Sequence, residues 1–438
     1  MKSTEMEDLR IRRLVLDKVG VFEHLDLEFK ESPAKDKAEI HIFVGENGTG
    51  KTTLLEAMTC FEGWYGRTTD KDGNILYNRQ SNWRIEQKMA KSNSCFSIDF
   101  GGHTVGKTND QKGETSFLNP LDDFFSKYFS GSLTKAENGS YLFFAYNASR
   151  FLKTAFAKPG RDFYDQRLLA EGISWDKESV NEALFQWVMD CDTKAAFAIR
   201  RNAKEEALKY EAELKKVNET ISRILGRSVG FAIDEKNLGV RIKVQDEMTD
   251  AEGLALGYQS LIGWLADLIY RLSQFPDSLN SRFTLFLDEI DIHLHPKAQR
   301  RILPVIQQLF PKAQIFITTH SPFVIGSVDD AWVYKFKLDE NGHSVFDGEP
   351  RRSEDAQSYR TILEEVFDIK EEFGIEAQTQ LDEFYQLRQE VLKGSTDSTW
   401  LTFNKLGMKL ASQSPEMHSY VSLELRQAAR ILNRQLIH

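Results

Sequence analysis

The residues Gly45, Glu46, Asn47, Gly48, Thr49, Gly50, Lys51 and Thr52 run consecutively and satisfy the spacing GxxxxGK[ST]. Glycines so placed let backbone N–H groups turn inward around phosphate oxygens at a helix N-terminus. Lys51 adds a point charge, and the Thr52 hydroxyl, with Thr53 behind it, can ligate Mg²⁺. A second segment, FTLFLDE, delivers Asp288 and Glu289 at the end of an apolar run. The two acids divide the work: Asp288 holds the metal, and Glu289 orients and deprotonates a water that attacks phosphorus. A third segment, QIFITTH, ends in His320 and is stopped by Ser321-Pro322, which suits a hydrogen-bonding sensor of a terminal phosphate. The chemistry that fits all three is metal-assisted hydrolysis at a phosphate.

These groups need a sheet whose strands end together. Leu14 to Phe29 alternates apolar and polar residues and predicts two strands joined near Gly20. Ile40 to Val44 predicts a buried strand, and TTLLEAM after the glycine loop predicts a helix. Residues 61–139 are rich in Gly, Asn, Ser and Asp, with a strand candidate at CFSIDF. A strand from Tyr141 is followed by helical text from Lys177 to Leu225, with a break expected at Asp190 to Thr193. A helix over GLALGYQSLIGWLADLIYRL, the strand FTLFLDE, a proline-started helix and the strand QIFITTH then alternate, which predicts an α/β fold with a mixed or mostly parallel sheet. The boundaries read as 1–150 for the first part of the head, 151–250 for a short helical insertion, 251–349 for the second part of the head, and 350–438 for a helical tail.

Composition narrows the setting. The chain has 438 residues with 56 Lys plus Arg against 66 Asp plus Glu, a net charge of −10, which excludes a surface that is basic throughout. Between Lys194 and Arg227 the balance inverts to nine basic against five acidic residues, which reads as a solvated helix face or, less simply, a nucleic-acid contact. Cys60, Cys95 and Cys191 lie far apart without CxxC spacing and read as reduced thiols. No leader-like apolar stretch opens the chain and no run of about 18 apolar residues follows, so the expected location is cytoplasmic, away from membranes.

With LALGYQSL preceding LFLDE closely, the four segments GENGTGKTTLLEA, LALGYQSL, LFLDE and ITTHSP resemble, in order, the Walker A, signature, Walker B and switch-histidine segments of ABC-type ATPases of the SMC, RecF and OLD group. The resemblance implies an ATPase using ATP and Mg²⁺, with heads that pair so that Gly257, Tyr258, Gln259 and Ser260 of one copy act on nucleotide held by the other. One departure is Ala255, where the family expects serine; phosphate contacts then fall to backbone N–H groups, and slow turnover is one consequence. DEIDIHLHP resembles the RecF and OLD form of the D-loop, and His293 and His295 read as structural or interface residues rather than metal ligands. Gln80 and Gln87 fall in the region of the family's Q-loop, without a choice between them. Residues 326–438 contain no DxD pair, which argues against an OLD-type nuclease domain. The tail, SYRTILEEVFDI and LDEFYQLRQEVLKG, resembles the PtuA family of ATPases from Septu and retron-associated anti-phage systems. That implies a homo-oligomer which scaffolds or restrains a partner HNH nuclease, with DNA met directly or through the partner. The alternatives are a RecF-like repair ATPase that grips DNA itself and a nucleotide-locked structural protein that hydrolyses nothing.

Overall fold

The computed structural model describes residues 10–32, 36–59, 68–69, 75–76, 88–89, 93–100, 103–109, 115–118, 142–155, 157, 173–175, 182–234, 239–273, 281–354, 357–394 and 396–435. The chain opens with strands β1 (Ile11–Val19), β2 (Phe22–Glu28) and β3 (Glu39–Gly45), then helix α1 (Lys51–Thr59). Strands β4 (Cys95–Phe100), β5 (His103–Asn109), β6 (Thr115–Leu118), β7 (Leu142–Tyr146) and β8 (Ile173–Ser174) follow. Helices α2 (Glu182–Arg200) and α3 (Lys204–Leu225) lead into β9 (Val229–Asp234), β10 (Gly239–Val244) and β11 (Glu247–Thr249). The head then closes with α4 (Leu256–Ser273), β12 (Phe283–Leu287), α5 (Pro296–Leu309), β13 (Gln314–Thr318), α6 (Pro322–Ile325), β14 (Trp332–Leu338), β15 (Ser344–Phe346) and β16 (Arg351–Arg352).

Two sheets form the core of the head. One is antiparallel, in the order β2-β1-β4-β5-β6; the other is mixed, in the order β8-β7-β12-β13-β3-β14-β15, with β16 also paired to β14. From β8 to β14 all neighbours are parallel, whereas β15 and β16 run antiparallel to β14. The expected α/β fold with a mixed sheet is thus the observed one. Its central strands are mostly apolar because both faces are covered, and every residue of β12 and β13 is buried. Leu14, Leu16 and Leu27 of the antiparallel sheet, Leu54 and Met58 of α1, and Phe43, Phe286 and Phe316 of the mixed sheet share one core. The rings of Phe286 and Phe316 stack with centroids 5.4 Å apart. Burying each such ring contributes about 2–3 kcal/mol.

Two expectations are corrected. Residues 190–193 are helical, because their polar groups are solvated or bridged along the helix, as in Gln186 Nε2 to Asp190 Oδ1 at 2.8 Å; the break falls after Arg200, where Asn202 turns left-handed at φ 57°. Residues 229–234 and 239–249, expected within a helical insertion, instead form the antiparallel sheet β9-β10-β11; on β10, Val240 and Ile242 are buried between more exposed neighbours, with period two.

The chain divides into compact units at Met1–Ile362 and Leu363–His438, later than residue 350, because Arg351 and Arg352 pair with β14 as an edge strand of the head. Helix α7 (Tyr359–Val366) spans the division. The second unit holds α8 (Ile375–Leu392), α9 (Asp397–Ala411) and α10 (Pro415–Leu432), packed on Phe384, Trp400, Phe403, Leu410, Val421 and Leu425. Among the described residues no helix is long and apolar enough to cross a membrane.

At the N-terminal end of β3, Glu39 is 1% exposed and accepts hydrogen bonds from Arg12 (2.9 Å), Arg10 (3.2 Å), Gln314 Nε2 (2.7 Å) and His41 Nε2 (3.0 Å). Burial pushes this carboxyl up, but the His41 hydrogen bond and the Arg12 and Arg10 charges outweigh it and hold Glu39 at about 2, below its ordinary 4.5. Burial drives His41 the other way, below 6.5, with Arg12 and Arg10 adding to the effect, so its ring is a neutral donor. A depressed carboxyl stabilises the fold above its unfolded value and loses that contribution as pH falls through the folded one. The stability gap between wild type and Glu39→Gln, on the order of 2 kcal/mol above pH 5, should therefore close between pH 4.5 and 2. Urea titrations across that range check this, and a gap that ignores pH contradicts it.

Candidate functional site

Strands β12, β13 and β3 lie side by side and parallel, with Leu287 opposite Ile317 and Thr318 opposite Phe43. Their C-terminal ends therefore bring Asp288 and Glu289, Thr319 and His320, and the glycine loop to one edge of the sheet, the edge at which such sheets bind ligands.

The loop is built for backbone, not side chains. Gly45 lies at φ 151°, and a Cβ there would sit 2.4 Å from the Phe336 carbonyl oxygen. Gly50 is left-handed at φ 82°, and a Cβ there would sit 2.6 Å from the Phe22 ring. Thr49 Oγ1 donates to the Glu46 carbonyl at 2.8 Å, and Ser344 of β15 donates to the Thr49 carbonyl at 2.7 Å. Glu46, Asn47 and Gly48 form the exposed crest, and α1 begins immediately at Lys51, so the first-turn N–H groups face the same space. The Lys51 ammonium crosses back over the loop to the carbonyls of Gly45 (2.8 Å) and Glu46 (2.9 Å). Its burial lowers it from the ordinary lysine value, while Asp288 and Glu289 oppose the shift. Thr53, behind Thr52, is buried and accepts from Lys88 at 3.1 Å.

Asp288 ties the three ends together. Its Oδ2 accepts from Thr52 Oγ1 at 2.9 Å and its Oδ1 from Thr318 Oγ1 at 2.6 Å. Thr318 Oγ1 in turn accepts the Glu289 N–H at 2.7 Å. Glu289 follows at φ 45°, a left-handed position that turns the chain sharply at the strand end. Thr319 Oγ1 donates to the Asp291 carboxylate. His320 is exposed; partial burial and then Lys51 lower its imidazole below 6.5, against Asp291, Glu289 and Asp288, so it is neutral at pH 7. Ser321 caps α6 through the N–H groups of Phe323 and Val324.

Gly257, Tyr258, Gln259 and Ser260 lie in the first turns of α4, away from the loop of their own chain in hydrogen bonding. Gly257 is pressed onto the D-loop segment, where a Cβ would meet the His293 carbonyl oxygen at 2.3 Å. Gln259 and Ser260 are buried, and Gln259 Nε2 donates to the Leu254 carbonyl at 2.9 Å. Tyr258 is half-buried beneath the Arg227 guanidinium, so Ala255 and Leu256 are the side chains this corner presents outward. Helix α4 is fastened to the sheet through a buried triad: Asp267 Oδ2 accepts from Tyr146 Oη at 2.8 Å and from Arg271 Nε at 2.6 Å.

His295 Nδ1 caps α5 by accepting from the Lys297 N–H at 3.2 Å, and His293 lies against Phe151. Among the described residues no three His, Cys, Asp or Glu side chains form a metal-holding group; Thr52 and Asp288 are hydrogen-bonded to each other beside the loop, two oxygen donors side by side. Gln80, Gln87 and Cys60 lie outside the described residues.

Three positioning groups escaped the sequence reading: Thr318, Ser344 and Arg150. Thr318 stands in plain view in the ITTH segment, but a hydroxyl at a strand end carries no signal until its neighbour across the sheet is known. Arg150 is buried and donates to the main-chain carbonyls of Asp288 and Glu289, partners that leave no mark in side-chain text. Burial lowers its guanidinium to about 10, with Asp288, Asp291 and Glu289 opposing.

Known proteins resemble this chain in sequence and in fold. A family model described as "AAA domain" matches residues 13–227, and one described as "AAA domain, putative AbiEii toxin, Type IV TA system" matches residues 194–326. The Septu protein PtuA of Bacillus thuringiensis is 21% identical, covering 97% of this chain and 100% of the relative. The Retron Ec83 probable ATPase of Escherichia coli is 23% identical, covering 98% of this chain and 89% of the relative. A crystal structure of an SmcHead bound to the C-winged helix domain of ScpA superposes with a TM-score of 0.47 at 15% identity, covering 78% of this chain and 97% of that one. The chain is a homologue of the Septu PtuA and retron ATPases.

Proposed function

We propose that the chain binds ATP with Mg²⁺ at the glycine loop and hydrolyses it, and that it serves as the ATPase subunit of an anti-phage defence complex. The observation that carries the ATPase reading is the Asp288 carboxylate held between Thr52 and Thr318, with Glu289 next to it. Backbone N–H groups of residues 46–51 and the Lys51 ammonium receive the β- and γ-phosphates. The Thr52 hydroxyl and the Asp288 carboxylate, both hard oxygen donors, suit Mg²⁺, with phosphate oxygens and water supplying the other positions. When bound, that ion supplies neutralisation of phosphate charge.

Glu289 accepts a proton from a water as its oxygen attacks the γ-phosphorus; the β–γ bridging bond breaks and ADP leaves with its electron pair. His320, neutral at pH 7 and exposed at the same edge, donates an N–H to the terminal phosphate. Two copies pair through their heads, so that the α4 N-terminus of one, with Gly257, Tyr258, Gln259 and Ser260, closes over the nucleotide of the other. With Ala255 in place of a hydroxyl, that closure relies on the helix N–H groups, which favours slow turnover.

Glu289→Gln should retain ATP binding while phosphate release falls about 100-fold or more. A variant that still turns over at the wild-type rate removes the base assignment. The resemblance to Septu PtuA supports a partner nuclease of HNH type, docked on the helical unit 363–438. Differently tagged copies expressed with the neighbouring genes should co-purify with each other and with that nuclease, and removal of residues 363–438 should release the nuclease alone. Recovery of replication proteins or DNA without a nuclease would favour a RecF-like repair role instead.

A further inference from the structure

We infer that Arg150 is a positioning residue for turnover: it grips the Glu289 peptide from the side opposite Thr318 and thereby aims the Glu289 carboxylate. The inference rests on the reading of Glu289 as the base. Arg150 lies four residues beyond the end of β7 and is 6% exposed. Its Nη1 donates to the carbonyls of Asp288 (2.6 Å), Tyr146 (3.4 Å) and Asn147, and its Nη2 donates to the carbonyl of Glu289 (3.1 Å). A single planar fork thus spans the end of β7 and both peptides of the acidic pair.

The peptide it grips is the one that has to be held. Glu289 lies at φ 45°, a region that residues other than glycine leave unless their surroundings fix them. Its N–H is fixed by Thr318 Oγ1 at 2.7 Å and its carbonyl by Arg150 Nη2 at 3.1 Å, so the backbone is anchored on both flanks of the Cα that carries the carboxylate. Asp288 has its own anchors in Thr52 and Thr318 and stays in place without Arg150. Loosening Arg150 therefore disturbs the base more than the metal ligand, and the loss appears in kcat rather than in nucleotide affinity.

Arg150→Lys keeps the charge and most of the buried stem but cannot reach the Asp288 and Glu289 carbonyls with one rigid fork. Single-turnover and steady-state hydrolysis should show kcat lowered about tenfold or more, with KM for ATP changed less than about threefold. In the double variant with Glu289→Gln, the rate should be no lower than in Glu289→Gln alone, because Arg150 acts through that side chain. A kcat equal to wild type, a defect confined to KM, or additive losses in the double variant would each overturn the inference. Undiminished hydrolysis by Glu289→Gln alone overturns the base reading instead, a separate outcome. If Arg150→Lys does not fold, Arg150→Gln, which also cannot span both carbonyls, must itself lower kcat without a further loss in combination with Glu289→Gln.

Discussion

Everything at this site hangs on one carboxylate. Asp288 accepts one hydroxyl from the first turn of the helix that follows the phosphate loop and one from the end of the neighbouring strand. It therefore sets the spacing between the glycine loop, the acidic turn and the histidine segment, which are far apart in the chain. The parallel order β12-β13-β3 makes that possible, because β13 stands between the acidic strand and the loop strand and offers Thr318 to both sides of the turn. The fold supplies this order by covering both faces of the strands, so that short apolar runs suffice to define them.

The two ends of the central strands treat charge differently. At the N-terminal end, Glu39 is closed off by Arg12, Arg10, Gln314 and His41, and its whole hydrogen-bonding capacity is spent inside the protein. At the C-terminal end, Glu289 is half-buried and His320 exposed, and the buried Lys51 ammonium lies close enough to both to shift with them. The first arrangement fastens the antiparallel sheet to the mixed one; the second leaves charge available to a ligand. The Tyr146–Asp267–Arg271 triad belongs to the first kind, since it locks α4, and with it the Gly257 corner, to the strand beside the acidic turn.

The sequence makes the centre of this arrangement legible because each part is local: a glycine spacing, an apolar run ending in acids, and another ending in histidine. It makes the periphery illegible wherever the partner is main chain or distant. Arg150 reaches carbonyls 138 and 139 residues away, and nothing in NASRF announces that. The strands β9 and β10 sit beside long helices whose text dominates the region, and of the two only β10 shows period-two burial. The signature segment is recognisable by resemblance, yet which of its side chains are available depends on packing: Gln259 and Ser260 turn inward, and Ala255 and Leu256 face out.

The most direct test of the central claim is calorimetric titration of ATP with and without Mg²⁺ into the wild-type chain and into Asp288→Asn. Asp288 as the bridge between loop, helix and metal predicts saturable binding by wild type that Mg²⁺ strengthens by about an order of magnitude, a gain the variant loses. Equal Mg²⁺ dependence in the two proteins would contradict it.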